Sequence, residues 1–154
     1  QDDLIKMLGS QDISEHPHIV AWRSAYKKFG ATPKKHLSSV ENLATHALKG
    51  AALAPINPLV DLYNAISLKY LLPAGGEDLD TIAGDIRLTI AGPKESAVVL
   101  LGQQDARAPE AGEVIYADDQ GAICRRWNWK EAERTKLTAN TQNAILVLEA
   151  LYPM

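Results

Sequence analysis

The stretch Asn57-Pro58-Leu59-Val60-Asp61-Leu62-Tyr63-Asn64-Ala65-Ile66-Ser67-Leu68-Lys69-Tyr70-Leu71-Leu72-Pro73 decides how the chain is read. Asn57 is a favoured cap residue, and Pro58 falls where its missing N–H costs nothing, so a helix starts here. Pro73 stops it. Leu59, Leu62, Tyr63, Ile66 and Tyr70 recur at helical spacing, and Val60, Leu68 and Leu71 widen the apolar arc, which predicts a largely buried helix. Asp61, Asn64 and Ser67 lie three residues apart and form one polar row on it. A polar row on a buried helix needs partners, and lining a cavity is one way to supply them.

Working outward, the segments before this helix read as helical. Pro17 and Gly30 bracket a helix over 16–30 with Ile19, Trp22, Tyr26 and Phe29 on one face, read as core rather than as a stacking platform. Ser38-Ser39-Val40-Glu41 reads as a capping box, with Ser38 as cap, opening a helix that runs to Lys49 and ends at Gly50. Leu4, Ile5, Met7 and Leu8 suggest a short peripheral helix ending near Gly9 within residues 1–15.

After Pro73 the pattern changes to strands. Ala74-Gly75-Gly76-Glu77-Asp78 reads as an acidic loop. Ile86, Leu88 and Ile90 alternate with Arg87 and Thr89, predicting a half-buried strand, and Ala97 to Leu101 gives another. Val114-Ile115-Tyr116 and Ala122-Ile123-Cys124-Arg125 flank Asp118-Asp119-Gln120-Gly121, a hairpin signal. Thr141 to Tyr152 reads as a closing helix carrying Ile145, Leu146, Leu148, Leu151 and Tyr152. Helices first and strands afterwards argue for one α+β domain over residues 1–154: N-terminal helices on a mostly antiparallel sheet, with a C-terminal helix.

Composition narrows the function classes. The 154 residues carry a net charge of −3, with 46% hydrophobic and 23% charged residues, which is ordinary for a globular protein. The apolar runs are too short to span a membrane, and no signal peptide is visible. The lone Cys124 excludes an internal disulfide and suits a reducing cytoplasm. The chain begins at Gln1 without a Met, which reads as a trimmed or processed start. Residues 75–120 hold ten acids against three bases, whereas 21–50 hold six Lys/Arg against Glu41 and 121–137 hold five against Glu131 and Glu133. Two basic segments around an acidic one form either a phosphate-facing patch or ordinary solvated faces. There is no phosphate loop, dinucleotide fingerprint, nucleophile elbow or zinc-type spacing, so no cofactor or metal is expected. Cys124 reads as a packed thiol rather than a nucleophile.

Asn57-Pro58-Leu59-Val60-Asp61-Leu62-Tyr63-Asn64 followed by Asp78-Leu79-Asp80 resembles the N-x-x-V-D-x-x-N core of the B3/B4 domain, the editing module of the phenylalanyl-tRNA synthetase β subunit. Ser38-Ser39-Val40-Glu41, Gly112-Glu113-Val114-Ile115-Tyr116-Ala117-Asp118 and Cys124-Arg125-Arg126-Trp127-Asn128-Trp129-Lys130 with Arg134-Thr135 extend the likeness to freestanding proteins of that family. It runs from about Ile19 to Leu151. The resemblance implies an α+β fold, a partner in aminoacylated tRNA, association with a tRNA synthetase, and hydrolysis in trans of a mischarged aminoacyl ester. In the synthetase, the domain removes tyrosine from phenylalanine tRNA. A non-catalytic tRNA-binding module, or a hydrolase of small amino-acid esters, stays open beside it. One departure stands out: the synthetase carries a histidine just after the V-D-x-x-N helix, and Pro73 to Asp78 here has none.

Such a reaction needs a positioned water, a donor for the developing oxyanion and a group for the substrate ammonium. On the resemblance, Glu113 corresponds to the glutamate of the synthetase's G-G-E segment and contacts the substrate ammonium or a polar group on its side chain, with an exposed strand-entry glutamate as the alternative. Asn64 orients water or the carbonyl, with a structural amide as the alternative. Glu77 and Asp78 are candidates for water activation. Asp61 holds backbone or Asn64 in place, and Thr138 and Thr141 either donate to the ester or cap the last helix. Arg125, Arg126 and Lys130, interleaved with Trp127 and Trp129, suit phosphate contact and base stacking. The alternative is core tryptophans with arginines paired to the acidic segment. Asn64, Glu113 and the 77–78 segment are expected to converge on one pocket.

Overall fold

The helices come first along the chain. The computed structural model describes Leu4, Lys6, Leu8, residues 11–50 and residues 54–151. A 3-10 turn at Ile13–Glu15 leads into α1 (Pro17–Lys28), where His16 Nδ1 accepts from the His18 N–H at 3.3 Å. Ile19, Trp22 and Tyr26 form its buried face, and Gly30 takes the left-handed φ of +83° that lets the chain leave the helix. The helix read over Leu4 to Leu8 is seen at Leu4, Lys6 and Leu8, all helical, with the two leucines buried; Ile5, Met7 and Gly9 lie outside the described residues.

The helix α2 (Ser39–Leu48) corrects the capping-box reading. Ser38 stands at the cap, but its buried hydroxyl makes no capping bond. Glu41 turns away and accepts from Arg23 Nε of α1 at 2.9 Å, because a guanidinium offers a carboxylate more than a lone N–H does.

The helix α3 (Pro58–Tyr70) starts as expected, with Asn57 Oδ1 accepting from the Val60 N–H at 3.0 Å. Leu71 ends it at a left-handed φ of +51°. It is half-buried rather than largely buried: Val60, Tyr63, Ser67 and Leu68 face inward, while Leu62 is 57% exposed. The polar row divides its work. Asp61 Oδ1 accepts from the Ile56 N–H at 3.0 Å, and Ser67 Oγ donates to the Leu72 carbonyl at 2.6 Å, so both fix helix ends. Asn64 points to a cavity.

The strands are β1 (Ala74–Asp78), β2 (Arg87–Ile90), β3 (Val98–Val99), β4 (Ala106–Arg107), β5 (Val114–Asp118), β6 (Gly121–Arg125), β7 (Lys130–Glu131) and β8 (Ala144–Leu148). They pair antiparallel as β1-β8, as β2-β5-β6-β7 and as β3-β4. The β5-β6 hairpin forms as read, its turn held by Asp118 Oδ1 accepting from the Gln120 and Gly121 N–H groups at 2.9 and 3.2 Å. The class is α+β with a mostly antiparallel sheet.

Two elements differ from the sequence reading, and they explain each other. The expected C-terminal helix is strand β8, and the expected 74–78 loop is its partner β1, in register from Ala74↔Leu148 to Asp78↔Ala144. Ile145 and Val147 turn inward and Leu146 and Leu148 outward, so both faces are apolar and the period-2 signal is hidden. Gly76 permits the approach: a Cβ there would meet Leu146 Cδ2 at 2.7 Å and Leu137 Cδ1 at 2.8 Å. The strand β2 also differs. All four of its residues are exposed, Ile90 to 68%, because it forms the sheet edge rather than a half-buried strand.

The core has a helical part and a sheet part. Ile19, Val40, Ala44, Ala47, Leu68 and Leu71 pack between the helices. Ala91, Leu100, Ile115, Ala117, Ala122 and Ala132 pack under the sheet. Trp22 and Tyr26 of α1 join the parts by packing with Trp127 and Trp129 of the β6-β7 turn, the Trp22 and Trp127 rings meeting edge-on at 5.0 Å. The aromatic face of α1 is core.

Candidate functional site

Between α3, β1 and the β6-β7 turn lies a cavity of about 280 Å³, mostly apolar with a few converging polar groups. Tyr63 and Asn64 reach it from α3, Gly75, Gly76 and Glu77 from β1, and Cys124 from β6. Trp127, Trp129, Lys130 and Glu131 form the opposite wall, and Ile145, Val147 and Glu149 close it. The turn that carries Trp127 is strained: Arg126 and Trp127 sit at φ of +47° and +67°, conformations that L residues hold only when their surroundings impose them.

The turn is held from two sides: Glu113 Oε1 and the Val114 carbonyl accept from the Arg126 and Trp127 N–H groups at 2.9 and 2.6 Å, and Glu149 holds the side chains. Glu149 accepts from Tyr116 Oη at 2.7 Å, Trp127 Nε1 at 2.6 Å and Asn128 Nδ2 at 2.7 Å. Asn128 Oδ1 in turn accepts from Tyr26 Oη at 2.8 Å, so the cavity wall is tied to α1. Burial, and then the Glu149 carboxylate, push the Tyr116 phenol well above its ordinary range.

Of the residues picked from the sequence, Asn64, Glu77, Lys130 and Trp127 line this cavity. Glu113 does not. It is 3% exposed and accepts from Arg125 Nε at 2.9 Å, Arg125 Nη2 at 2.7 Å, the Arg126 N–H at 2.9 Å and the Glu110 N–H at 3.2 Å. Burial alone would raise its carboxyl, but the Arg125 bonds and charge hold it below the usual range. The expected convergence of Asn64, Glu113 and 77–78 therefore reduces to Asn64 and Glu77. The other acid, Asp78, accepts from Thr141 Oγ1 at 2.6 Å and from the Asp80 N–H at 3.0 Å, fastening the end of β1 to the approach to β8. Thr138 and Thr141 belong to that fastening: Thr141 Oγ1 accepts from the Thr138 N–H at 2.9 Å, in a turn before a strand rather than at a helix cap.

The basic segment follows the pairing reading. Arg125 is spent on Glu113, and Arg126 Nη2 donates to Glu110 Oε1 at 2.8 Å while its guanidinium stacks 5.0 Å from the Trp129 ring. Arg134 donates to both Asp118 oxygens, at 2.9 and 2.5 Å. Lys130 makes no salt bridge among the described residues, and its ammonium stands 5.9 Å from the Trp129 ring. Cys124 faces the cavity, but burial and the carboxylates of Glu131, Glu77 and Glu149 push its thiol up, which favours the unreactive protonated form.

Sequence reasoning missed Glu131. It sits in Lys130-Glu131-Ala132-Glu133-Arg134, which looks like a solvated charge run, yet the register Cys124↔Glu131 places it opposite a buried thiol. Its Oε1 lies 3.4 Å from the Gly76 N–H. Burial, opposed by that N–H, raises its carboxyl to about 7. Burial, and then the Glu131 charge, raise Glu77 to about 8. A Cβ on Gly75 would stand 2.7 Å from Glu131 Oε1, so the glycine leaves room for this carboxylate.

Comparison with known proteins agrees with this architecture. The B3/4 domain profile matches residues 21–154. The phenylalanine–tRNA ligase β subunit of Psychrobacter arcticus is 30% identical over 125 residues, which is 75% of this chain and 15% of that subunit. The β subunit of Fusobacterium nucleatum subsp. nucleatum is 34% identical over 76 residues, 49% of this chain and 9% of that subunit. The chain thus corresponds to a small part of these relatives' length. With its match running from the middle of α1 through β8, the chain belongs to the B3/4 domain family.

Proposed function

We propose that the protein hydrolyses the ester of a mischarged aminoacyl-tRNA in trans. The observation that carries this reading is the cavity itself. It places Asn64 of the V-D-x-x-N helix and Glu77 of β1 around a space that suits one amino-acid group, in a domain related to part of a phenylalanine–tRNA ligase subunit. Water attacks the ester carbonyl, the bond to the ribose oxygen breaks, and that oxygen takes a proton, leaving free amino acid and tRNA. The ester is already activated, so no covalent nucleophile is required, in keeping with the buried, protonated Cys124. The Asn64 amide supplies a donor for the carbonyl oxygen. Lys130 and Trp127 stand at the cavity, where an ammonium and an aromatic face suit the terminal phosphate and base of a tRNA. Arg125 and Arg126 act by holding the β6-β7 turn that presents Trp127.

A panel of tRNAs mischarged with labelled amino acids tests this. Ester loss is expected for at least one member, and Asn64→Ala lowers its rate by about 10²-fold, the scale of a lost oxyanion donor. tRNA binding without any ester loss would replace this reading with that of a non-catalytic tRNA-binding module, which the missing histidine between Pro73 and Asp80 favours.

A further inference from the structure

The least satisfied feature of the cavity is a carboxyl pair. Glu77 is 7% exposed, and its Oε2 is shut off from solvent without a well-formed hydrogen bond; the buried Thr135 hydroxyl, which also lacks one, is the protein donor that bears on it. Buried carboxyls are very seldom left with so little, and a donor group brought in at the cavity would complete the site. Residues 75 and 77 point to the same face of β1. Glu131 Oε1 fills the place where a side chain at 75 would stand, so the two carboxyls share that face and that space.

The surroundings give the pair no bonded counter-charge: Arg134 is felt by Glu77 only through space and is itself paired with Asp118. Tyr63 faces it from α3 and Cys124 from β6, both neutral because burial pushes them up. Glu149, beyond β8, adds a carboxylate whose bonds are already committed. Beyond β7, Arg134 is paired with Asp118, and Lys136, bridged to Glu77 through the backbone, is paired with Glu133. Lys130 lies against Trp129. No cation makes a salt bridge to Glu77 or Glu131 among the described residues.

We propose that Glu77 and Glu131 together form the receptor for a primary ammonium group on the molecule that fills the cavity. An ammonium offers three donors, enough for both carboxyls, where a hydroxyl offers one. No group of three or more His, Cys, Asp or Glu side chains suited to a metal occurs among the described residues. Tyr63, Tyr116 and Trp127 line the same space and add aromatic faces that attract a cation. Naming the ligand rests on the aminoacyl reading above, under which the ammonium is either the α-ammonium of the aminoacyl group or that of a basic side chain. The empty pair holds a proton near neutrality, so binding the cation releases protons and tightens as pH rises from 6 to 7.5.

The test is titration of the full chain with alaninamide, lysinamide and propionamide, read by the backbone amide signals of Gly75 and Gly76 and by the indole N–H signals in two-dimensional NMR. Alaninamide is expected to bind at least tenfold more tightly than propionamide, which lacks the ammonium. Lysinamide tighter than alaninamide by a further tenfold assigns the receptor to a side-chain ammonium; equal affinities assign it to the α-ammonium. Glu77→Gln and Glu131→Gln each weaken binding at least tenfold, with dispersed spectra showing that the fold is kept. If either variant fails to fold, the pH dependence of lysinamide binding by the unaltered chain decides, since no tightening between pH 6 and 7.5 overturns the proposal. Equal binding of propionamide, full affinity in folded glutamine variants, or no shift with any amide also overturns it. Ammonium binding with no hydrolysis of any mischarged tRNA sinks only the deacylase reading. Hydrolysis that proceeds equally on an acyl group lacking the ammonium sinks only this one.

Discussion

Glu113 and Glu77 show how little a residue type says about its task. Both are buried glutamates, yet Glu113 is saturated by Arg125 and backbone donors, whereas Glu77 keeps an unpaired oxygen at a cavity. Glu113→Ala leaves Arg125 buried without its partner and lowers stability by about 3–5 kcal/mol, measured by urea unfolding. The exposed Arg87–Asp119 pair gives a control, since losing it costs about 0–1 kcal/mol. Glu113 drew attention in the sequence through its likeness to a motif and its place at a strand entry. The bidentate arginine that occupies it comes from position 125, and only the folded hairpin brings the two together.

At the scale of elements, β1 and β8 form or fail together. Gly76 lies so close to β8 that a Cβ would meet Leu146, Leu137 and the Ile145 carbonyl, the last at 3.2 Å. Gly76→Ala therefore displaces the Leu146 and Leu137 side-chain ends, presses on the β8 backbone and costs about 1–3 kcal/mol by thermal unfolding. Gly92→Ala, whose Cβ meets only the Glu95 side chain at 3.5 Å, stays within about 0.5 kcal/mol. Helices α1 to α3 and the β5-β6 hairpin were legible because Asn57-Pro58, Pro17, Gly30 and Asp118 to Gly121 act locally, through caps and turns. The β1-β8 pair was not legible. A strand of Ala-Gly-Gly looks like a loop until its partner is known, and Ile145 to Leu148 looks helical while both its faces are apolar. The site followed the same rule: Asn64 and Glu77 lie near a motif, whereas Glu131 becomes visible only through its register with Cys124.

At the scale of the whole molecule, the charges set opposing limits on stability. Glu77 and Glu131 have folded values of about 8 and about 7 against an ordinary 4.5, so the folded state keeps protons that the unfolded chain releases. Stability therefore falls as pH rises from about 4.5 to 8. Glu113 and Asp118 are lowered, so their contribution is present at neutral pH and is lost as pH falls below the ordinary carboxylate range. A series of Tm values should peak on the acid side of neutral, and Glu77→Gln should flatten the alkaline limb while leaving the acid limb unchanged. The pairing of Ala74 with Leu148 also has a consequence in time. A ladder joining such distant segments is slow to close and cannot start until the second strand exists. On the ribosome, α3 and β1 emerge long before the residues that wall off their far side. Until that strand emerges, Glu77 lacks its Ile145 partner, so a nascent or truncated chain presents a more solvated acid where the finished protein has a buried one.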